Sequence, residues 1–238
     1  MPETASHFDP NGASGPARRE RRITAVDQIY DALRHRIIHF ILPPGAPIAK
    51  NEVAAEFAVS QTPVREAALR LADEGLVDIF PQSKTIVSLI DVQHAHEVHF
   101  LRLSVEIEVV RVLASEFDAE RMTELQAWIE RQVTELNANN ETAFKIADNS
   151  FHEEMLRLAD VQGLTRLMDT RRGHYDRIRG LYLQQSQRRE VVVKEHRAIV
   201  AALEAGDPIA AEAAVRRHLG KSLAIVDDIR ARHPGYFL

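Results

Sequence analysis

The chain has 238 residues, of which 45% are hydrophobic and 27% charged, the composition of a folded globular protein. This length favours two domains. The absence of cysteine excludes disulfides, zinc sites with thiolate ligands and cysteine nucleophiles. No stretch approaches the roughly 18 apolar residues of a membrane span, and residues 1–16 lack the apolar core of a signal peptide. We therefore expect a cytoplasmic protein with no membrane partner.

The net charge of −5 gives no general indication of nucleic-acid binding. Residues 1–90 carry 10 Lys/Arg against 11 Asp/Glu, and residues 91–238 carry 20 against 24. A DNA-binding interpretation must therefore rest on where individual basic residues lie.

Residues 1–22 are predicted to form a disordered tail, because Pro, Gly, Ala and Ser dominate the first seventeen positions. Four arginines follow: Arg18, Arg19, Arg21 and Arg22. They belong either to a solvated leader or to a flexible arm that touches phosphates.

Residues 23–89 predict three helices and a hairpin. Apolar residues recur at helical spacing from Thr24 to Ile38, a short helix covers residues 50–58, and a third runs from about Gln61 to Glu74. Ser60 is expected to cap this third helix, and Gly75 to end it. Two β-rich runs, residues 76–80 and 85–88, flank a polar turn. Together these elements predict a winged helix-turn-helix.

Residues 91–235 predict an all-α bundle of six to seven helices, so the fold class is mainly α. Breaks are expected near residues 116–118, 137–140, 162–163, 180–187 and 206–208. In the last helix, Leu223, Ala224, Ile225 and Ile229 could pack inside the bundle or against a partner.

The start of the third helix is the first candidate site. A helix N-terminus in the major groove presents N–H groups and short polar side chains to the DNA. Gln61 could pair with adenine, and Arg65 could reach guanine or a phosphate. Alternatively, Ser60 is only a cap and Arg65 and Glu66 are surface charges.

Residues 59–71 and 74–77, with the turn at residues 42–45, resemble the DNA-binding signature of GntR-family bacterial repressors. The resemblance implies a homodimer that reads a short palindromic operator in double-stranded DNA, with each wing in the minor groove. Gln61 and Asn51 stand where the family usually has arginine, which should lower affinity and salt dependence. The resemblance and the remaining polar groups give these expected DNA contacts: Lys50, Asn51, Ser60, Gln61, Thr62, Arg65, Gln82, Ser83, Lys84 and Thr85.

Asp148 and His152 form the second candidate site, because residues four apart share one helix face. With His196 and His218 they could bind a borderline divalent ion. Taken alone, these residues could equally be scattered among the chain's 11 histidines. His94, His96 and His99 look similarly metal-like but are interpreted as the exposed start of a helix.

Five motifs, at residues 102–106, 147–152, 195–199, 205–207 and 217–219, resemble those of the FadR-type C-terminal ligand-binding (FCD) domain. The metal-binding subgroup of that family uses one Asp and three His, which fall here on Asp148, His152, His196 and His218. A carboxylate with three imidazoles suits zinc, nickel or manganese. A competing subgroup lacks these ligands and binds an acyl-coenzyme A.

Arg102 matches the family's pocket arginine, which implies a small organic-acid effector; the alternative is an ion pair with Glu106 four residues on. Further anion contacts could come from Arg171, Arg172, Tyr175 and Arg179. The expected function is a bacterial transcription repressor and not an enzyme. Two alternatives are a constitutive DNA-binding protein with a structural metal and a metal-dependent enzyme using Glu153 or Glu195 as base.

Overall fold

The structure, a computed structural model, describes residues 23–116 and 118–238. Its N-terminal part, here called the head, contains α1 (Ala25–Ile38), α2 (Lys50–Glu56), α3 (Gln61–Asp73), β1 (Val77–Ile79) and β2 (Thr85–Val87). This arrangement confirms the predicted winged helix-turn-helix. The predicted tail at residues 1–22, with its four arginines, lies outside the described residues.

The head folds as its apolar pattern dictates. Thr24 and Asp27 form a reciprocal capping box at the start of α1. Ile29, Leu33 and Ile37 follow on one face and are fully buried against α3. These residues build the head's own hydrophobic core.

Of the two predicted ends of α3, one is wrong and one is confirmed. Ser60 occupies the cap position, but its side chain makes no capping hydrogen bond, so the predicted cap is wrong. Gly75 ends the helix as predicted, because its φ of +70° lies in the left-handed region that favours glycine. The chain then enters the wing, where β1 and β2 pair antiparallel with Val77 opposite Val87.

The second part, here called the bundle, is entirely helical apart from connections and the isolated bridge between Ile90 and Phe237. Among the described residues it contains six helices of 11 or more residues and three shorter ones. They are α4 (Val92–Ser115), α5 (Ala119–Asn137), α6 (Glu141–Leu158), α7 (Gly163–Asp169), α8 (Gly173–Leu183), α9 (Ser186–Glu204), α10 (Pro208–Ala224), α11 (Val226–Arg232) and a 3₁₀ turn (Pro234–Tyr236).

The bundle has a second hydrophobic core, separate from that of the head. Leu223 and Ile229 belong to it, which places the apolar face of the last helices inside the bundle. The predicted domain limits, 23–89 and 91–235, stay a prediction that the two cores support. No described helix is both long enough and apolar enough to cross a membrane.

One predicted break is wrong in part. Gly180 lies inside α8, and the chain turns only at Gln184 and Gln185. A Cβ on Gly180 would lie 3.5 Å from Phe40 Cε2 and 3.6 Å from the carbonyl oxygen of Ile38. Both are ordinary van der Waals distances, so Gly180 lies beside the end of α1 within the helix and does not end it.

Helix α8 lies between the head and the rest of the bundle, and all eleven of its residues are buried. Arg177 on this helix donates to the carbonyl oxygen of Ser88 in the linker at 2.7 Å. Asp176 lies 3.5 Å from Arg34 of α1. The same helix therefore contacts both parts of the chain.

Candidate metal centre and nucleic-acid interface

Four buried side chains converge inside the bundle. Asp148 and His152 come from α6, His196 from α9 and His218 from α10, and one ligand atom of each lies within 4.8 Å of the others. The Nε2 atom of His218 is 3.2 Å from the Nε2 atoms of both His152 and His196. Nitrogens bound at tetrahedral angles to one zinc ion, at about 2.0–2.1 Å each, would be about 3.3 Å apart. The spacing therefore fits a shared cation.

Each imidazole is oriented through its other nitrogen. The Nδ1 atom of His152 lies 2.9 Å from Glu106 Oε2, and that of His196 lies 2.9 Å from Gln132 Oε1. The Nδ1 atom of His218 lies 3.1 Å from Glu195 Oε2. These oxygens accept hydrogen bonds, so the proton belongs on Nδ1 and the Nε2 lone pair points inward. Metal-binding histidines are held in this way.

The three imidazoles are also in the neutral state that metal binding requires. Burial lowers the pKa of His218 to about 3 and lowers the pKa of His152 and His196 well below its usual value. Neutral imidazoles in the Nδ1–H form leave three Nε2 lone pairs facing one another without a proton donor. A divalent cation would satisfy all three, so this donor set fits a metal ion.

The carboxylate of Asp148 is held by Arg179 of α8. Three contacts between guanidinium nitrogens and carboxylate oxygens measure 2.7, 2.8 and 3.0 Å. Burial would raise the pKa of Asp148, but the charge of Arg179 outweighs it and keeps the carboxyl ionised. One oxygen of Asp148 lies 3.8 Å from His196 Nε2, on the side of the three imidazoles.

Arg102 is buried and pairs with Glu106. Its Nε donates to Glu106 Oε1 at 2.6 Å, so the alternative ion pair considered from the sequence is present. The other oxygen of Glu106 binds His152, so Glu106 connects Arg102 to the cluster. Arg102 also lines a narrow pocket of about 20 Å³ beside His152 and Arg172.

The other candidates in the bundle lie outside the four-residue cluster, although Arg172 lines the same narrow pocket as Arg102. Arg172 pairs with Asp169 and Asp176, and Tyr175 is fully buried. His96 is exposed, and neither His94 nor His99 belongs to the four-residue cluster; their Nε2 atoms lie 3.0 and 3.2 Å from backbone oxygens.

On the head, Ser60, Gln61, Thr62 and Arg65 are exposed at the start of α3. The two residues that depart from the family pattern contact each other, since Gln61 Nε2 donates to Asn51 Oδ1 at 2.6 Å. This hydrogen bond engages the amide that would read a base.

The remaining candidates on the head differ in exposure. Lys50 is half-buried, whereas Gln82, Ser83 and Lys84 are exposed at the tip of the wing. Thr85 is only 1% exposed, because it begins β2 with its side chain inward. A buried hydroxyl cannot reach a phosphate, so the structure contradicts Thr85 as a side-chain contact.

Sequence reasoning missed the residues that orient the ligands. Gln132 carries no signal, because it lies in α5, 64 residues from His196 in the chain. Glu195 was considered only as a base, and Glu106 only as the partner of Arg102. Arg179 was considered as an anion contact but not as the partner of Asp148.

The pKa shifts predict acid sensitivity of the metal-free protein. An unfolded histidine titrates near 6.5, whereas buried His218 titrates near 3, so the unfolded chain binds more protons between these values. The free energy of unfolding should therefore fall as pH decreases below about 6.5, by about 1.4 kcal/mol per pH unit for each such histidine. Urea unfolding with chelator at several pH values measures this slope. His218→Leu should reduce the slope by the contribution of one histidine, about 1.4 kcal/mol per pH unit. An unchanged slope would contradict a neutral, buried His218.

Comparisons with known proteins agree with this architecture. A model of the gntR family of bacterial regulatory proteins matches residues 25–87, and a model of the FCD domain matches residues 97–221. The chain is similar to an uncharacterized HTH-type transcriptional regulator in an unstable DNA locus of Streptomyces ambofaciens. The two are 35% identical over 209 residues, and this alignment covers 88% of each chain.

Two further proteins of Escherichia coli are similar. The HTH-type transcriptional repressor RspR is 30% identical over 210 residues, covering 88% of this chain and 92% of RspR. The solved structure of McbR/YncC superposes with a TM-score of 0.71 at 19% identity, covering 87% of this chain and 99% of that one. The structural similarity concerns the fold.

Proposed function

Because this chain belongs to the gntR family of bacterial regulatory proteins and carries an FCD domain, we propose that it is a cytoplasmic repressor whose DNA binding responds to a small carboxylate. It binds a short palindromic operator as a homodimer, because two α3 helices gain specificity from the spacing of half-sites. The name of RspR supports repression. The carboxylate binds at the four-residue cluster in the bundle.

The observation that carries this proposal is the buried cluster of one carboxylate and three oriented imidazoles. Asp148, His152, His196 and His218 would hold a zinc, nickel or manganese ion, which supplies a Lewis-acidic position for ligand oxygens. Glu106, Gln132 and Glu195 keep the imidazoles in the binding tautomer.

Arg102 supplies the second contact for the carboxylate. Its hydrogen bond to Glu106 uses Nε, so the outer end of the guanidinium can pair with a ligand. The pocket of about 20 Å³ holds about one water, so a larger ligand requires the side chains of Met168 or Arg172 to move. Effector binding then favours one arrangement of the helices, as regulation requires.

A thermal-shift screen of carboxylic acids, with and without chelator, tests the effector site. We expect stabilisation by few compounds, only with metal present, and its loss in His152→Ala and Arg102→Ala. Exposed His96 and Arg111 on α4 supply matched controls, since His96→Ala and Arg111→Ala should keep the response. Equal stabilisation of all variants would contradict this pocket. Metal-dependent melting without any acid response would favour a purely structural metal.

The head makes a second prediction. If Arg65 reads a base, Arg65→Ala should weaken operator binding by about 1–3 kcal/mol. If Arg65 binds a phosphate, the substitution should reduce the slope of log affinity against log salt concentration by about one. An operator selected from random duplexes and titrated by fluorescence anisotropy at several salt concentrations measures both. Exposed Arg197 on the bundle is the control, and Arg197→Ala should change neither. Identical behaviour of the two variants would exclude Arg65 from the interface.

A further inference from the structure

A side-chain hydrogen bond joins the two helices of the helix-turn-helix, α2 and α3. Gln61 is the first residue of α3 and Asn51 is the second residue of α2, and both are exposed. Gln61 Nε2 donates to Asn51 Oδ1 at 2.6 Å. The N-terminal residues of a recognition helix are those that contact base edges in the major groove. The pair therefore lies where an operator base would be read.

The hydrogen bond leaves part of the Gln61 amide free. A side-chain amide has one acceptor oxygen and two N–H donors, and Asn51 takes one of these donors. Within the described part of the chain, no residue donates a hydrogen bond to Gln61 Oε1. One donor and one acceptor therefore remain, on adjacent groups of a planar side chain.

This remaining set matches adenine and not guanine. In the major groove adenine presents the acceptor N7 and an N6 amino donor, whereas guanine presents two acceptors, N7 and O6. The free N–H of Gln61 can donate to N7 of either purine, but Oε1 can accept only from adenine. Opposite guanine, Oε1 would face a second acceptor, and the other N–H is already bound to Asn51.

Asn51 determines which way the amide faces. If the Gln61 amide turned over, Oε1 would lie against Asn51 Oδ1, and two acceptors would replace a hydrogen bond. The bond therefore opposes the orientation that would offer both N–H groups to guanine. Both side chains are neutral, so the pair contributes base discrimination without releasing counterions from the DNA.

We propose that Gln61 reads an adenine in each half-site of the operator, and that Asn51 is the positioning residue that holds its amide in the adenine-reading orientation. The inference rests on the proposed function, because it names a base that the DNA-binding head selects. In a palindrome bound by two copies of the chain, the adenine occurs once in each half-site. A good bidentate pair discriminates against the wrong base by about 5–150-fold.

Selection of bound duplexes from a random library, with the full-length, zinc-loaded protein, tests the proposal. Wild type should select adenine at one position of the half-site, and Gln61→Arg should select guanine there, because arginine pairs bidentately with guanine. Exposed Gln28 on α1 supplies the matched control, since Gln28→Ala should select the wild-type site.

The same selection separates this inference from the proposed function. An identical site for wild type and Gln61→Arg would overturn the adenine assignment and leave operator binding standing. Absence of any selected site for wild type would contradict the proposed function, and the adenine assignment with it.

Fluorescence anisotropy with the selected duplex and its adenine-to-guanine variant isolates the role of Asn51. Wild type should bind the adenine duplex at least about fivefold more tightly, and Asn51→Ala should reduce this ratio to within about twofold because the amide can then turn. Asn51→Asp keeps an acceptor beside Gln61, so it should retain the ratio while its negative charge weakens binding of both duplexes alike. An unchanged ratio in Asn51→Ala, or its loss in Asn51→Asp, would overturn the positioning role.

Discussion

Replacing His196 with alanine is expected to weaken metal binding more than about 100-fold. Loss of a residue that merely orients a ligand costs about 10–100-fold, and His196 is itself a candidate ligand. It is completely buried, with Nε2 3.2 Å from that of His218 and 3.8 Å from Asp148. The remaining three groups cannot replace it, because no other imidazole joins the cluster within the described chain.

Competition with a chromophoric chelator measures the affinity of wild type and variant. Weaker metal binding should also lower the free energy of unfolding of the variant in the presence of metal. A ligand at 100 times its dissociation constant stabilises the folded state by about 2.7 kcal/mol. His96→Ala is the matched control, because His96 is exposed on α4 and outside the cluster. Equal metal affinity in His196→Ala and His96→Ala would show that the cluster does not bind the ion.

Replacing Glu106 with alanine is expected to impair stability and metal affinity together. Glu106 is 1% exposed and bonds to both Arg102 and His152. Its removal leaves the buried guanidinium of Arg102 without its carboxylate, which costs about 3–5 kcal/mol when one partner of a buried pair is lost. It also frees the His152 ring, with an expected loss of metal affinity of about 10–100-fold.

Glu108→Ala supplies the control two residues along α4, where the side chain is exposed. Urea unfolding of the metal-free proteins isolates the ion-pair effect, and chelator competition isolates the effect on the metal. Glu106→Gln should recover part of the affinity, because the amide oxygen can still accept from His152. If Glu106→Ala matched Glu108→Ala in both measurements, Glu106 would have neither role.

The secondary structure was largely predictable because its causes are local. Apolar spacing located α1, and the left-handed turn at Gly75 ended α3 as expected. Gly180 was misread because a glycine can lie within a helix, and the residues that neighbour it here, at the end of α1, are distant in the sequence. Thr85 was misread because a side chain's burial depends on what the strand packs against.

The candidate metal site was also predictable only in part. The four-residue spacing of Asp148 and His152 places them on one helix face, whereas their convergence with His196 and His218 came from family resemblance and not from spacing. The placement of Glu106, Gln132 and Arg179 around them could not be read from the chain. These partners come from α4, α5 and α8, and nothing local couples them.

By itself, the amino-acid sequence determined the two-part helical architecture, because helix periodicity, caps and turns act over a few neighbouring residues. The sequence also carries the motifs by which the family is recognised. Only the tertiary structure decided that Arg179 holds Asp148 and that Asp176 of α8 meets Arg34 of α1. Such contacts join side chains separated by tens to more than a hundred residues. They are fixed by how whole helices pack, which local patterns do not specify.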